Sequence, residues 1–211
     1  SHILCSSTAG SGKSRVLVER IKRLVRDGVD PSRIVVIVYT NAAAAVLQER
    51  LGDVRLGFNG TLHAYLFSLL ARHGHLIGLD GSLSIVDEDA QTELLRQSID
   101  DMAWKGSVKE VQAEVAKGPG DRPKPLTKAG LAAEAFFQRL AADRILTFDM
   151  IEHWGLKLFQ KDPSVVNADF IFLDEAQDCT DLEWQILDAA QVPNFMAIGD
   201  ADQRLYSWRG S

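Results

Sequence analysis

Near its start the chain reads ILCSSTAGSGKSRVLVERIKRLV over residues 3–25. The apolar run Ile3-Leu4-Cys5 predicts a minimal strand, and Ser14–Arg26 has the apolar spacing of one helix face. Between them lies a glycine-rich loop whose backbone N–H groups can surround a phosphate at a helix N-terminus. A glycine-serine turn that merely precedes a lysine is the alternative, and the order strand, loop, helix counts against it. We therefore predict a phosphate-binding loop, although the strict pattern has glycine at the position of Ser7.

Two separate stretches supply the charged groups that a nucleotide site needs. In the loop, Lys13 can reach the β- and γ-phosphates and Ser14 can hold Mg²⁺. Far along the chain, the apolar run 170–173 is followed directly by Asp174 and Glu175. One carboxylate at a strand end can hold Mg²⁺ through water, and its neighbour can orient or deprotonate the attacking water. An Asp-Glu pair alone is usually a solvated turn, but together with the loop it indicates a nucleotide site.

Further strand and helix patterns alternate along both ends of the chain. Ile34–Tyr39 is a continuous β-branched run of the kind found in strands covered on both faces. Alternation of strands with helices predicts an α/β fold with a doubly wound, mainly parallel sheet. The other predicted elements are helices at Ala42–Leu51 (closed by Gly52), Leu62–Arg72, Leu131–Ala142 and Leu182–Ala190, a weaker strand near Val54–Phe58, and buried strands at Phe170–Leu173 and Phe195–Ile198.

The middle of the chain differs from both ends in charge and pattern. Residues 80–101 carry seven acidic side chains, whereas residues 104–128 carry six Lys or Arg and three acids. The basic stretch can touch nucleic-acid phosphates, and a solvated loop without a task is an equally good interpretation. We predict a mostly helical insertion at 73–165 within a domain formed by 1–72 and 166–211.

Composition excludes several classes of protein. The chain has 211 residues, of which 46% are hydrophobic and 25% charged, and its formal net charge is −6. It is not uniformly basic, but a local basic groove remains possible because binding follows local potential. Cys5 and Cys179 form no disulfide framework or zinc spacing, and no apolar run has the length of a membrane span. We expect a cytoplasmic protein, in the bacterial cytosol or nucleoid, with no membrane partner.

A third polar stretch follows the last predicted strand. It reads GDADQRLYSWRG over residues 199–210. Gln203 carries both a donor and acceptors, so it can bridge a γ-phosphate and a water. Tyr206, Trp208 and Arg209 combine aromatic rings with a guanidinium, as platforms for unpaired bases do. The alternative for Trp208 is a place in the core.

The order of these stretches resembles a known family. AGSGKS (9–14), YTNAAAAVLQERL (39–51), GTLHAYL (60–66), FLDEAQD (172–178) and the stretch 199–210 are similar to motifs I, Ia, Ib, II and III of superfamily 1 helicases, and most similar to the UvrD/Rep/PcrA group. The resemblance implies a RecA-like P-loop NTPase domain, called 1A, and makes the insertion domain 1B, which lies near the duplex. The TxH pattern argues against the RecD/Pif1 branch. The third motif argues against superfamily 2.

The resemblance also implies roles for individual residues. Lys13, Glu175 and Gln203 would be catalytic, and Ser14 and Asp174 would hold Mg²⁺ beside ATP. Nucleotide contacts are implied for Ser7, Thr8, Ala9, Gly10, Ser11, Gly12, Lys13, Ser14 and Arg15. DNA contacts are implied for Tyr39, Thr40, Asn41, Thr61, His63, Tyr206, Trp208 and Arg209. For His63 the alternative is a surface histidine without a task.

Some positions depart from the family pattern. Ala42, Ala45 and Val46 stand where Lys, Arg and Glu are common, so some DNA or interdomain contacts would be absent. Ser7 and Thr8 replace the usual Ala-Gly, Leu62 replaces a common Phe, and Tyr39 stands in place of the usual Phe.

The function implied for the whole protein is that of an ATP-dependent DNA helicase. We expect the native start and motifs IV to VI, with their arginine fingers in a C-terminal domain 2A, to lie outside this chain, so the chain alone would be nearly inactive. The parent would move 3′ to 5′ on single-stranded DNA, unwind a duplex at its junction, and serve a process such as DNA repair. A P-loop NTPase switch and a DNA-binding module without hydrolysis are the alternatives.

Overall fold

The computed structural model describes residues 2–6, 13–116 and 127–199. Within them the strands are β1 (His2–Ser6), β2 (Ile34–Ile37), β3 (Phe58–Gly60), β4 (Ser84–Ile85), β5 (Ile145–Leu146), β6 (Phe170–Leu173) and β7 (Asn194–Gly199). The helices are α1 (Lys13–Arg26), α2 (Asn41–Leu51), α3 (Leu62–His73), α4 (Glu88–Asp101), α5 (Val108–Val115), α6 (Lys128–Asp143), α7 (Phe148–Lys161) and α8 (Asp181–Ala189).

The chain folds into two compact units. One consists of residues 1–69 together with 159–211, and the other of residues 70–158. The first unit holds a five-stranded sheet in the order β1-β7-β6-β2-β3, and every neighbouring pair is parallel. The predicted α/β fold with a parallel sheet is therefore confirmed.

One face of this sheet carries α1 and α2. Leu17 and Ile21 of α1 and Leu47 of α2 are buried against Val36 and Phe172 of the central strands. The apolar spacing of α1 follows the 3.6-residue period, so one helix face supplies all its contacts to the sheet. Because α1 begins at Lys13, this packing fixes the position of the helix N-terminus relative to the sheet.

The opposite face is covered as well, so the sheet is doubly wound. Val35 and Ile37 alternate with the residues of the first face and are also buried. Tyr65 of α3 contacts Phe58, which pairs with Val35, at a ring distance of 4.9 Å. On the same face Trp184 of α8 contacts Phe195 edge-on at 6.2 Å. Alternating residues buried on both faces explain the continuous apolar runs of the central strands.

The predicted strand at 54–58 is wrong in its bounds, because the strand begins only at Phe58. Gly57 precedes it, and its N–H donates to the carbonyls of Pro31 and Ile34, each at 3.0 Å. A Cβ at Gly57 would lie 2.0 Å from the carbonyl oxygen of Ser32. The chain crosses the start of β2 so closely that it turns there, and pairing with β2 starts one residue later.

The second unit is mostly helical, as predicted for the insertion. Helices α4, α5 and α6 pack on one another, around buried Leu95, Val111 and Phe136. A capping box of Ser107 and Glu110 begins α5. The short parallel strands β4 and β5 were not predicted, because two residues each are too few to show an alternation.

The amino-terminal edge of the large sheet is held by one ion pair. The guanidinium of Arg33 donates to both carboxylate oxygens of Asp169, at 2.7 and 2.6 Å, and to Asn167 at 2.7 Å. Asn194 in turn donates to the carbonyl of Asp169. These residues begin or precede β2, β6 and β7, so the pair links three strands at the edge opposite the predicted site. Among the residues described, no helix is both long and apolar enough to cross a membrane.

Candidate functional site

Every predicted site residue that the structure describes lies at one edge of the large sheet. Since all five strands are parallel, their carboxyl ends meet at this edge, which is where ligands of such folds bind. Asp174 follows β6, Tyr39 follows β2 by two residues, and Thr61 follows β3 directly. Lys13 begins α1, the helix that follows β1.

The strands that precede the predicted nucleotide residues lie side by side in the sheet. The strands that precede two groups of predicted DNA residues lie next to them. Adjacent strands β1, β7 and β6 precede the phosphate loop, the third motif and the Asp-Glu pair. The next strands, β2 and β3, precede the stretches 39–51 and 60–66, which resemble motifs Ia and Ib. Neighbouring strands are about 4.8 Å apart, so the carboxyl ends of β1 and β6, two strands apart in the sheet, are separated by about 10 Å.

Backbone hydrogen bonds continue past the strand ends on this edge. The N–H of Asp174 donates to the carbonyl of Ile37 at 2.9 Å, and the N–H of Val38 donates to that of Gly60 at 2.9 Å. Three strand ends are thereby joined in register beyond the ladder itself. The predicted metal ligand and the predicted DNA-contacting loop after β2 therefore share one rigid backbone frame.

The Asp-Glu pair is half-buried and locally hydrogen-bonded. The N–H of Glu175 donates to Asp174 Oδ1 at 3.1 Å, and the side-chain amide of Gln177 donates to Glu175 Oε2 at 2.8 Å. The backbone of Glu175 lies in the left-handed region, with φ 50° and ψ 44°. An L-residue there is strained, and such strain concentrates at functional sites.

The beginning of α1 carries the described part of the phosphate loop. Lys13 is the first helical residue, Ser14 is half-buried and Arg15 is exposed. A helix N-terminus favours anions, and no acidic residue lies in the first turn to oppose one.

Thr40 and Thr61, both predicted to contact DNA, cap the helices that follow them. Thr40 Oγ1 accepts a hydrogen bond from the N–H of Ala43 at 3.1 Å, and Thr61 Oγ1 accepts one from Ala64 at 3.3 Å. A hydroxyl that accepts from a backbone N–H keeps its own hydrogen, which can be donated to a phosphate oxygen. Capping and a DNA contact are thus compatible.

Tyr39 has a large exposed ring, with 66% of the residue accessible. An aromatic so exposed contributes little to the core and is available for stacking. Asn41 beside it is exposed, and His63 in the first turn of α3 is half-buried.

The donor set fits Mg²⁺ bound to a nucleotide better than a metal held by protein alone. Mg²⁺ keeps several waters and usually takes one or two carboxylates plus substrate phosphates. Asp174 and Ser14 would supply that kind of ligand. No cluster of three or more His, Cys, Asp or Glu suited to a metal occurs in the described residues.

Several predicted residues lie outside the described residues. They are Ser7, Thr8, Ala9, Gly10, Ser11 and Gly12 of the loop, and Gln203, Tyr206, Trp208 and Arg209 after β7. In the basic stretch the same holds for residues 117–126, whereas Lys105, Lys109 and Lys128 are exposed.

A parallel α/β sheet with a strand, glycine-rich loop and helix at one end and an Asp-Glu pair after a central strand is the arrangement of a RecA-like P-loop domain. The family model of the UvrD/REP helicase N-terminal domain matches residues 1–211. The chain belongs to that family, and the resemblance to the UvrD/Rep/PcrA group is confirmed.

Curated relatives cover nearly the whole chain. It is 32% identical over 237 aligned residues to an ATP-dependent DNA helicase PcrA from Leuconostoc citreum, covering 99% of this chain and 32% of that protein. It is 27% identical to a PcrA from Staphylococcus aureus, again over 99% of this chain and 32% of the relative. A probable DNA helicase II homolog from Mycoplasma capricolum is 26% identical, over 96% and 32%. The chain thus spans about a third of the length of these relatives.

Two site contacts were not predicted from the sequence. One is the hydrogen bond from Gln177 to Glu175, and the other runs from Asn59 to the carbonyl of Ala44 at 2.8 Å, joining β3 to α2. The first had a signal, since an amide two residues beyond a carboxylate can close a tight turn. The second depends on tertiary packing and had none.

Proposed function

We propose that this chain is the N-terminal, ATP-binding part of an ATP-dependent DNA helicase. The parent protein would couple ATP hydrolysis to movement along single-stranded DNA and to duplex unwinding, in the 3′ to 5′ direction. The main support for this proposal is the strand order. It brings helix α1, the Asp-Glu pair and the exposed Tyr39 to one edge of the sheet. The names of the relatives, all helicases, support the same function.

On the nucleotide side the roles divide among a few groups. Lys13 places a positive charge on the β- and γ-phosphates. Ser14 and Asp174 would hold Mg²⁺, which neutralises phosphate charge when bound. Glu175 orients the attacking water and accepts its proton. Gln203 would couple the γ-phosphate to the DNA side.

On the DNA side the single strand would cross the ends of β2 and β3. Tyr39 stacks on a base, and the Thr40 and Thr61 hydroxyls, with Asn41 and His63, contact the strand. Tyr206, Trp208 and Arg209 would extend this path. Closure of domain 2A on ATP and reopening after hydrolysis would move the strand one step.

Other parts of the parent follow from the same proposal. Domain 2A would supply the arginine that completes the nucleotide site, and the insertion, as domain 1B, would bring its basic stretch 104–128 to the duplex junction. We place the parent in the cytoplasm, in a process such as DNA repair.

Two variants of the full-length protein test the nucleotide site. Lys13→Ala should weaken ATP binding in titration calorimetry, because it removes the charge on the phosphates. Glu175→Gln should retain ATP binding but lower turnover by about two to four orders of magnitude, because it removes the base. Lys22→Ala is the matched control, a lysine on the same helix about 13 Å further along.

The outcomes separate the proposed function from its alternatives. Turnover stimulated by single-stranded DNA and lost in Glu175→Gln supports the helicase. Turnover that ignores DNA would instead indicate an NTPase switch, and DNA binding without any turnover would indicate a binding module. Unchanged ATP affinity in Lys13→Ala would contradict the phosphate loop itself.

A further inference from the structure

A side chain that the resemblance left without a role contacts the proposed base directly. The amide nitrogen of Gln177 donates to Glu175 Oε2 at 2.8 Å, and both residues are half-buried. A hydrogen bond from an amide to a carboxylate is charge-assisted, and such bonds are stronger and shorter than neutral ones. Gln177 is thus placed to control the direction of the Glu175 carboxylate.

The backbone around this contact is tied on both sides. The N–H of Asp178 donates to the carbonyl of Glu175 at 3.0 Å, and the N–H of Cys179 to that of Ala176 at 3.4 Å. They form a single 3-10 turn over Ala176–Asp178, and Ala176 is buried. The donor at Gln177 is therefore held by a closed turn and not by a free loop.

The left-handed backbone of Glu175 makes such a support useful. Left-handed φ and ψ at Glu175 direct the side chain differently from an extended strand end, and a glutamate has three flexible torsions. A general base acts only when an oxygen lies within about 2.6–3.2 Å of the water. Fixing a long side chain at the moment of reaction costs entropy, and a pre-formed hydrogen bond reduces that cost.

We infer that Gln177 is a positioning residue that holds one oxygen of Glu175 so that the carboxylate faces the attacking water. This inference rests on the proposed function, in which Glu175 is the base. Gln177 itself neither donates nor accepts the transferred proton, which passes from the water to Glu175. Its loss should lower turnover and leave the affinity for ATP unchanged.

The test uses the full-length protein with four variants. Gln177→Met has a similar length but no donor, and Gln177→Lys keeps a donor of similar reach. Glu175→Gln removes the base, and the double variant combines it with Gln177→Met. Steady-state turnover on single-stranded DNA gives kcat and KM, calorimetry gives the affinity for ATP, and thermal unfolding reports on folding.

We expect Gln177→Met to lower kcat about 10- to 100-fold, as the loss of a hydrogen bond to a charged group predicts. ATP affinity and Tm should stay near those of the parent. Gln177→Lys should recover turnover relative to Gln177→Met. In the Glu175→Gln background, Gln177→Met should lower kcat no further, because its effect passes through the missing base.

The contrary outcomes are distinct. If Glu175→Gln loses turnover but Gln177→Met does not, Gln177 has no positioning role and the proposed function stands. The inference also fails if Gln177→Met weakens ATP binding, or lowers kcat equally in both backgrounds. Unchanged turnover in Glu175→Gln would remove the proposed base and this inference with it. If Gln177→Met does not fold, normal turnover in a folded Gln177→Ala would overturn the inference.

Discussion

Glu175 holds a backbone conformation that few L-residues adopt, and it does so in the middle of the candidate site. The described residues contain three other non-glycine residues with φ near 50°, namely Ala103, Arg144 and Gln191, and each lies just beyond a helix. Those positions are ordinary helix ends, whereas Glu175 follows a central strand. The left-handed conformation costs about 1–2 kcal/mol for an L-residue, and strain of this kind, here beside Asp174, concentrates at functional sites.

Replacing Glu175 by glycine should therefore stabilise the chain while removing the base. We expect Glu175→Gly to raise the free energy of unfolding by up to about 1 kcal/mol, because glycine tolerates positive φ. Denaturant unfolding of the 211-residue chain measures this. Gln191→Gly, at a second left-handed position outside the site, should give a similar gain. A clear loss of stability in Glu175→Gly alone would mean that its side-chain contacts outweigh the strain.

Tyr39 and Tyr65 form a matched pair of tyrosines, one exposed at 66% and one buried at 4%. Tyr39→Ala should leave stability nearly unchanged and weaken binding of single-stranded DNA by the full-length protein by about 1–3 kcal/mol, the value of one stacked base. Tyr65→Ala should instead lower stability by about 3–5 kcal/mol, as for a buried aromatic. Normal DNA binding by Tyr39→Ala would exclude the ring from the DNA path.

The residue types of the site could be predicted from the sequence, but their local geometry could not. A glycine-rich loop before a helix and two carboxylates after an apolar run have few other uses, so Lys13 and Asp174 stood out. The left-handed backbone of Glu175 has no sequence signal, because Glu is not among the residue types, such as Gly, Asn and Asp, that favour that region. The exposure of Tyr39 likewise depends on where β2 ends and α2 begins.

Helix α2 begins at the candidate DNA edge, so its cap residue Thr40 is also a proposed DNA contact. The Thr40 hydroxyl caps the helix by accepting a hydrogen bond from the N–H of Ala43, and Thr40 is exposed. Thr40→Asp keeps a capping oxygen, so stability should change by less than about 0.5 kcal/mol, whereas Thr40→Ala should cost about 1 kcal/mol.

The same variant adds a negative charge at the proposed DNA contact. Thr40→Asp in the full-length protein should weaken binding of single-stranded DNA about tenfold at low salt and less at high salt. Thr40→Ser, which keeps the cap and the hydroxyl, should bind normally. Equal DNA binding by Thr40→Asp and Thr40→Ser would place the strand elsewhere.

The Arg33–Asp169 pair makes the start of the sheet sensitive to acid. Hydrogen bonds from the Arg33 guanidinium, and then its charge, lower the pKa of the Asp169 carboxyl. A lowered pKa in the folded state stabilises the fold above the unfolded pKa of about 3.9, and this stability is lost as the pH falls through the folded value. The side chains are 40% and 39% exposed, so solvent screens the pair.

Unfolding as a function of pH checks this assignment. Asp169→Asn lacks the titrating group, so the wild-type chain should be more stable than the variant at neutral pH. The difference should shrink as the pH falls below about 4. A difference that stays constant down to strongly acidic pH would show that the carboxylate charge is not what Arg33 stabilises.

Secondary structure could be predicted wherever an element was long or continuously apolar. The strand at 170–173 matches its predicted bounds, and the helix predicted at 62–72 ends one residue later. The prediction failed where tertiary contacts set the bounds, as at Gly57, where the approach of Ser32 delays β3. It also missed β4 and β5, whose pairing joins residues 61 positions apart, as in Ser84 with Ile145.

The strand order could not be predicted from pattern alone, because it is set by pairings between distant segments. A parallel sheet and its ligand edge follow from alternating strands and helices. The insertion of β7 between β1 and β6 does not follow from that alternation. Yet this insertion places one strand between β1, which precedes the predicted phosphate loop, and β6, which precedes the Asp-Glu pair.

The isolated 211-residue chain should be a poor catalyst. It carries the phosphate loop and the carboxylates, and the family resemblance assigns the arginine finger to domain 2A. Such a finger is worth about 10³–10⁵ in rate. We expect very slow ATP turnover and no strand separation from this chain, measured beside the full-length protein. Comparable DNA-stimulated turnover by both would mean that the catalytic groups are misassigned.

The place of β1 in the sheet has a consequence for biosynthesis. β1 leaves the ribosome before every other strand described, yet it pairs with β7, where His2 of β1 lies opposite Phe195 of β7. Strands β2, β3 and β6 can associate earlier, but β1 waits until β7, about 190 residues later, has been made. At about 5–20 residues per second that delay is roughly 10–40 s. During it the strand that pairs with β1 in the described sheet is not yet made, so we expect ATP to act as a stabilising ligand only once synthesis has passed β7.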